Sequence, residues 1–195
     1  MDWRKEYAEK IVSVEEAVRH VQSGNRIVFT HACGEAQALT DELVRQADRL
    51  ENVEIVHMVA MGKAPYCQPG MEKHFRHNAL FVGGSTRKAV EEGRGDYTPC
   101  FFHEIPKLFT DGTLPVDVAF LQLSEPDENG VCSYGVSVDY TQPAAEAAKL
   151  VIAQINKNMP YTYGNGINLK DIDYIVEKDE PLIELQPPKI GETEH

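Results

Sequence analysis

Val116 to Leu123 is a nearly continuous apolar run broken only by Asp117 and Gln122, and a strand apolar on both of its alternating sides has no face to offer water. Compact β-prone runs recur at Arg26 to Thr30, Val53 to Val59, Val151 to Ile155 and Ile172 to Val176. Between them apolar residues fall at helical spacing. Ser13-Val14-Glu15-Glu16 reads as a capping box, followed by Ala17, Val18 and Val21 before Gly24 stops the turn. Leu39, Leu43, Ala47 and Leu50 mark a second helix. A strand at Leu80 to Val82 runs through Gly83-Gly84-Ser85 into a helix at Thr86 to Glu92, and Thr141 caps a further helix with Pro143 in its first turn. This alternation predicts an α/β fold, an open and mostly parallel sheet covered by helices on both faces.

The 195 residues suit one domain of ordinary size, with 42% apolar and 26% charged residues arguing against disorder. Residues 1–180 are expected to form that domain. From Pro181 the chain turns proline-rich and polar, so 181–195 reads as a linker toward a further domain. The 31 acidic residues against 19 basic ones give a net charge of -12, which repels phosphate backbones and anionic lipid, so neither nucleic acid nor membrane is expected as a partner. Apolar runs fall short of the ~20 residues a bilayer span requires, and Met1-Asp2-Trp3-Arg4-Lys5-Glu6 is not a signal-peptide pattern, so the expected location is the cytoplasm. Cys33, Cys67, Cys100 and Cys132 form no CxxC pair and read as reduced thiols.

In open α/β sheets ligands gather outside the carboxyl ends of the strands. Three loops there carry chemistry. In Thr30-His31-Ala32-Cys33-Gly34-Glu35 the small residues let backbone N–H groups approach a ligand, and His31 can donate to a carboxylate or hydroxyl; a satisfied structural histidine is the plainer reading. In Gly83-Gly84-Ser85-Thr86-Arg87 two hydroxyls, a guanidinium and free N–H groups can hold an anion. The third loop, Ser124 to Gly130, contains the turn residues Asp127-Glu128-Asn129-Gly130, whose plainest structure is a hairpin into Val131 to Ser137. His74 and His77, three apart, would share a helix face but have no third ligand at spacing, so no metal is expected. Cys33 beside His31 lacks an orienting third group for a nucleophile.

With these loops assembled, the chain resembles the acetyl-CoA hydrolase and transferase family, and within it the 4-hydroxybutyrate CoA-transferases. The likeness runs over essentially the whole chain. It rests on Met1-Asp2-Trp3-Arg4, His57-Met58-Val59 with Gly62-Lys63, Ser85-Thr86-Arg87, Pro99 to Pro106, Ser124 to Gly130, Gly135 to Thr141 and Pro188-Lys189-Ile190-Gly191-Glu192.

The resemblance implies a fold related to the sugar-phosphate isomerase type of sheet, of which this chain is the amino-terminal half. It implies CoA transfer between small carboxylic acids such as 4-hydroxybutyrate, butyrate and acetate, with coenzyme A as substrate and acyl-CoA and the acids as partners. In the family a glutamate of the second half attacks the thioester, passing through an anhydride to a glutamyl-CoA thioester. The catalytic residue is therefore expected outside this chain, which alone is expected to be inactive, and the complete enzyme is expected to be a homo-oligomer. By resemblance His31, Gly34 and Glu35 line the acid-binding end, while Gly62, Lys63, Ser85, Thr86 and Arg87 shape the cleft. Family members often carry proline after Gly34-Glu35, whereas Ala36 stands here, which leaves the turn looser. Two other readings are an acetyl-CoA hydrolase, with water resolving the intermediate, and a non-catalytic module that binds a small acid or phosphosugar.

Overall fold

In a computed structural model of the chain, residues 2–185 and 187 are described. Seven strands form one parallel sheet: β1 (Arg26–Phe29), β2 (Val53–His57), β3 (Phe75–Ala79), β4 (Gly95–Tyr97), β5 (Val118–Leu123), β7 (Leu150–Ile155) and β9 (Tyr174–Glu177). Their order is β4-β3-β2-β1-β5-β7-β9. The chain thus builds outward from β1 on one side, returns with β5, and builds outward on the other. β1 and β5 pair directly, Ile27 opposite Val118 and Phe29 opposite Phe120.

Helices cover both faces, as the uniformly buried strands require. On one face α2 (Val14–Arg19) and α3 (Gln37–Arg45) bury Ala17, Val18, Leu39 and Leu43 against Ile27, Phe29, Ile55 and Phe120. On the other, α5 (Ile105–Thr110) and α6 (Thr141–Ala147) press Ile105, Phe109 and Ala144 onto Val28 and Val56. The Ser13 hydroxyl accepts from the Glu16 N–H at 3.1 Å, capping α2 as its sequence predicts. Among the described residues no helix is long and apolar enough to cross a membrane.

Several local expectations change. The strand before the Gly83-Gly84 turn is Phe75–Ala79, earlier than Leu80 to Val82, so His77 lies in a strand and shares no helix face with His74. β6 (Val131–Ser133) forms no ladder with β5; it pairs antiparallel with β8 (Gly166–Asn168), because the sheet position beside β5 is taken by β7. Thr141 is the first residue of α6, and its Oγ1 is buried without a hydrogen-bond partner among the described residues; Tyr140 holds the cap position. β4 and α5 were not foreseen, nor was the short helix α1 (Trp3–Glu6). Pro188 to Glu192 and most of the linker residues lie outside the described residues.

The buried face turns polar toward the carboxyl ends of the central strands. Gln122 Nε2 of β5 donates to the Glu35 carbonyl at 2.8 Å and the Gly34 carbonyl at 3.3 Å, while its Oε1 accepts from Asn156 Nδ2 at 2.6 Å. Asn156 also donates to the Glu180 carbonyl at 2.8 Å, and the Glu180 carboxylate accepts from Ala38 N–H at the start of α3 at 3.3 Å. Gln122→Leu would leave those two carbonyls, and one of the two hydrogens of the Asn156 amide, unpaired in the interior. Each such group costs about 1–3 kcal/mol, so urea unfolding is expected to show a loss of at least about 2 kcal/mol; a variant as stable as wild type would show that the loop does not hang on this side chain.

Candidate functional site

β1 and β5 are neighbours whose chains leave toward opposite sides of the sheet, and such a switch point opens a crevice outside their carboxyl ends. The loop after β1, His31 to Ala36, sits at that crevice. It is joined to the loop after β2 by a bridge between Ala32 and Ala60, with the Ala32 N–H donating to the Val59 carbonyl at 3.2 Å. The loop after β3 joins in turn, because Ser85 Oγ donates to the Ala60 carbonyl at 2.5 Å. Three loops that are distant in sequence therefore share one rim. The backbone is strained there: Ala32 has φ 53° and Ala64 φ 45°, left-handed values that alanine seldom adopts.

His31 retains 16% side-chain exposure, and its Nδ1 lies 2.6 Å from Asp139 Oδ2. Its ring is 5.5 Å, centroid to centroid, from Tyr140 and 5.7 Å from Phe102, the latter in an edge contact. Tyr140 is fully buried; its hydroxyl donates to the Phe29 carbonyl at 2.9 Å and accepts from the Met58 N–H at 3.3 Å, pinning the 134–140 segment to the ends of β1 and β2. Cys33 takes no part in this contact.

Glu35 points inward and is 1% exposed. Its carboxylate accepts from the Gly62 N–H at 3.3 Å, and a Cβ at Gly62 would lie 2.8 Å from Glu35 Oε2, so a side chain there would displace the Glu35 carboxylate. Burial pushes the Glu35 carboxyl up from 4.5 to about 7, with the Gly62 N–H opposing the shift. Gly34 has no room for a side chain either: a Cβ would meet Ser137 Cβ at 2.8 Å and Thr30 Cγ2 at 2.9 Å. Ala36 is fully buried with φ -77°, a value proline also takes, so the turn is held by packing without it. Lys63 is exposed and lines a small cavity with Glu35 and Thr40.

The Ser85-Thr86-Arg87 turn differs from the expected anion cradle. Thr86 is fully buried, the Ser85 hydroxyl spends its hydrogen on Ala60, and the helix that follows, α4 (Arg87–Glu91), has only 5 residues. The Arg87 side chain is exposed. The structure thus sets His31, Lys63, Ser85 and Arg87 at the surface of the rim, with Gly34, Glu35, Gly62 and Thr86 beneath them as framework. Asp139, Tyr140, Phe102 and Gln122 were missed as members of this region. Gly135 to Thr141 and Pro99 to Pro106 stood out as blocks, but nothing local connects them to a histidine 108 positions away from Asp139.

Residues 1–186 match the model of the acetyl-CoA hydrolase/transferase N-terminal domain. The chain belongs to that family. It is 60% identical over all 195 residues to the 4-hydroxybutyrate coenzyme A transferase of Clostridium kluyveri, covering 46% of that protein. It is 36% identical to the succinyl-CoA:cyclohexane-1-carboxylate CoA transferase of Geobacter metallireducens, across 98% of this chain and 44% of the other. Among solved structures, the 4-hydroxybutyrate CoA-transferase of Porphyromonas gingivalis superimposes with TM-score 0.80 at 36% identity, over 96% of this chain and 44% of that one. RipA of Yersinia pestis gives 0.91 at 26% identity, over 98% and 47%. The chain therefore spans about half the length of the curated relatives it matches.

Two outcomes follow from this geometry. Gly34→Ala is expected to destabilise the fold by about 1–3 kcal/mol through overpacking, read by urea unfolding, and an unchanged midpoint would show that the loop yields freely. Glu35 loses its proton near 4.5 in the unfolded chain and near 7 in the folded one, so the folded state holds more protons between those values. Its contribution, whole below pH 4.5, is lost as pH rises to about 7, an effect on the order of 3 kcal/mol. Glu35→Gln removes that loss. The variant should gain stability relative to wild type from pH 5 to pH 8, and parallel pH profiles would exclude a raised Glu35.

Proposed function

We propose that this chain is the amino-terminal half of a CoA-transferase that moves CoA between small carboxylic acids, with 4-hydroxybutyrate, butyrate and acetate as the acid class. The observation that carries this reading is the 60% identity, unbroken over the whole chain, to a 4-hydroxybutyrate coenzyme A transferase. The rim at the β1–β5 switch point is then one wall of the active-site crevice. His31, Gly34 and Glu35 form its acid-binding end, and Gly62, Lys63, Ser85, Thr86 and Arg87 shape the side toward CoA. Residues 1–180 make up the domain, and 181–195 lead toward the half that supplies the reactive glutamate.

In this mechanism the glutamate oxygen attacks the acyl-CoA carbonyl and the CoA thiolate leaves, forming an acyl-glutamyl anhydride. The thiolate attacks the glutamyl carbonyl and releases the first carboxylate. The second acid then reverses both steps, so the energy of the thioester is kept in a covalent bond throughout. The chain's part is to hold the acid against that glutamate and to shield the intermediate from water. His31 makes a hydrogen bond with the acid, while exposed Lys63 and Arg87 offer positive charge to an anionic partner. Exposed Phe81, Tyr97, Phe101, Phe102, Val136 and Val138 follow the carboxyl ends of strands or sit beside Asp139, apolar surface suited to a second half that closes the crevice. Acyl-CoA thioesters are intracellular metabolites, so a cytoplasmic setting goes with this reading.

The test is to produce the chain together with a carboxy-terminal half patterned on the Clostridium kluyveri relative and to follow CoA exchange from acetyl-CoA to butyrate and 4-hydroxybutyrate. Exchange by the assembly and none by the chain alone is the expected result. Thiol release that ignores the acceptor acid would make the protein a hydrolase, and no reaction of either kind would favour a binding module.

A further inference from the structure

The contact between His31 and Asp139 determines which ring nitrogen is left for a ligand. We propose that Asp139 is a positioning residue that fixes neutral His31 with its proton on Nδ1, so that Nε2 meets the acid substrate as a hydrogen-bond acceptor and favours acids that carry a hydroxyl group. The proposal rests on the reading of His31 as part of the acid-binding wall and names the substrate feature that this wall selects.

A carboxylate has no hydrogen to give, so the 2.6 Å contact requires Nδ1 to be the donor. The neutral ring then has its lone pair on Nε2, which has no hydrogen-bond partner among the described residues and is not among the sealed polar atoms of the interior. The carboxylate is itself fixed, because Oδ1 accepts from the Tyr140 N–H at 2.6 Å. Tyr140 is in turn clamped to the ends of β1 and β2 through its hydroxyl. A flip that exchanged the two nitrogens would have to break the Asp139 bond, and it would take place beside the rings of Tyr140 and Phe102. Asp139 keeps 26% side-chain exposure, and a carboxylate held on Nδ1 in this way sets the tautomer of a histidine.

The consequence for binding follows from donor and acceptor chemistry. A lone pair at Nε2 accepts a hydroxyl hydrogen and repels a carboxylate oxygen. The acid's hydroxyl end is therefore the part that meets His31, and its carboxylate is left for the reacting end of the crevice. A site built to satisfy a substrate hydroxyl discriminates against the analogue that lacks it, because the acceptor is otherwise left without a partner in a closed crevice.

Two readouts test this. In a two-bond proton–nitrogen correlation spectrum of the labelled chain at pH 8.5, above the ordinary histidine range, the His31 signals, assigned by their loss in His31→Gln, should show the Nδ1-protonated form. Asp139→Asn supplies an amide that can donate to Nδ1 and should move the proton to Nε2, while Asp139→Glu, which keeps an acceptor-only group, should retain the wild-type form. In the assembled protein the ratio of kcat/KM for 4-hydroxybutyrate over butyrate should fall about tenfold in Asp139→Asn, a loss of ~1.4 kcal/mol of selective binding. A wild-type His31 protonated on Nε2, or an unchanged ratio, overturns the proposal even where CoA exchange proceeds. If the wild-type assembly exchanges CoA with neither acid, the functional reading itself falls, and the substrate selection argued from it falls too.

Discussion

The pairing of β1 with β5 at the centre of the sheet is the constraint on which the other features depend. Ile27, Val28 and Phe29 lie beside Val118, Ala119 and Phe120 with both faces of each strand buried, so helices have to cover the sheet on both sides. Because β2 continues on one flank of this pair and β7 on the other, the chain must depart in opposite directions from the two strand ends. The gap between those departures is the crevice. Its position is thus a product of strand order, and every functional side chain takes its place from where it leaves that central pair.

Close approach of loops sets the second layer of organisation. Gly34 is pressed against Thr30 and Ser137 at distances that leave no room for a side chain, and Gly62 lies against the Glu35 carboxylate. Ala32 and Ala64 accept left-handed backbone conformations beside them. Such crowding is stable because Gln122, Asn156 and Glu180 satisfy the carbonyls and amides that the loop would otherwise leave unpaired in the interior. A polar network of this kind holds the loop to one geometry.

The parts of this architecture legible in the chain are those written in local pattern. The apolar runs identified five strands, helical spacing identified α2, α3, α4 and α6, and the loops that follow β1 and β3 stood out for their small and polar residues. Short elements with weak patterns escaped: β4 spans only Gly95–Tyr97, and β3 carries Arg76, His77 and Asn78, whose polar character hides a strand that is largely buried. The hydroxyls of Ser85 and Thr86 looked free because sequence does not show that one faces Ala60 and the other the interior.

The sequence by itself determined the class of fold and the family, because hydrophobic periodicity and ordered blocks of residues are properties of neighbours along the chain. It did not determine that Asp139 meets His31, that Glu35 turns inward beneath Gly62, or that Gln122 holds the loop between them. Those contacts join residues brought together across separate strands, and the partner of a charged or polar group is decided by which strand ends become neighbours when the sheet closes. Only the tertiary structure carries that information, since the energy of each contact depends on burial and distance, quantities that exist only once the chain has folded.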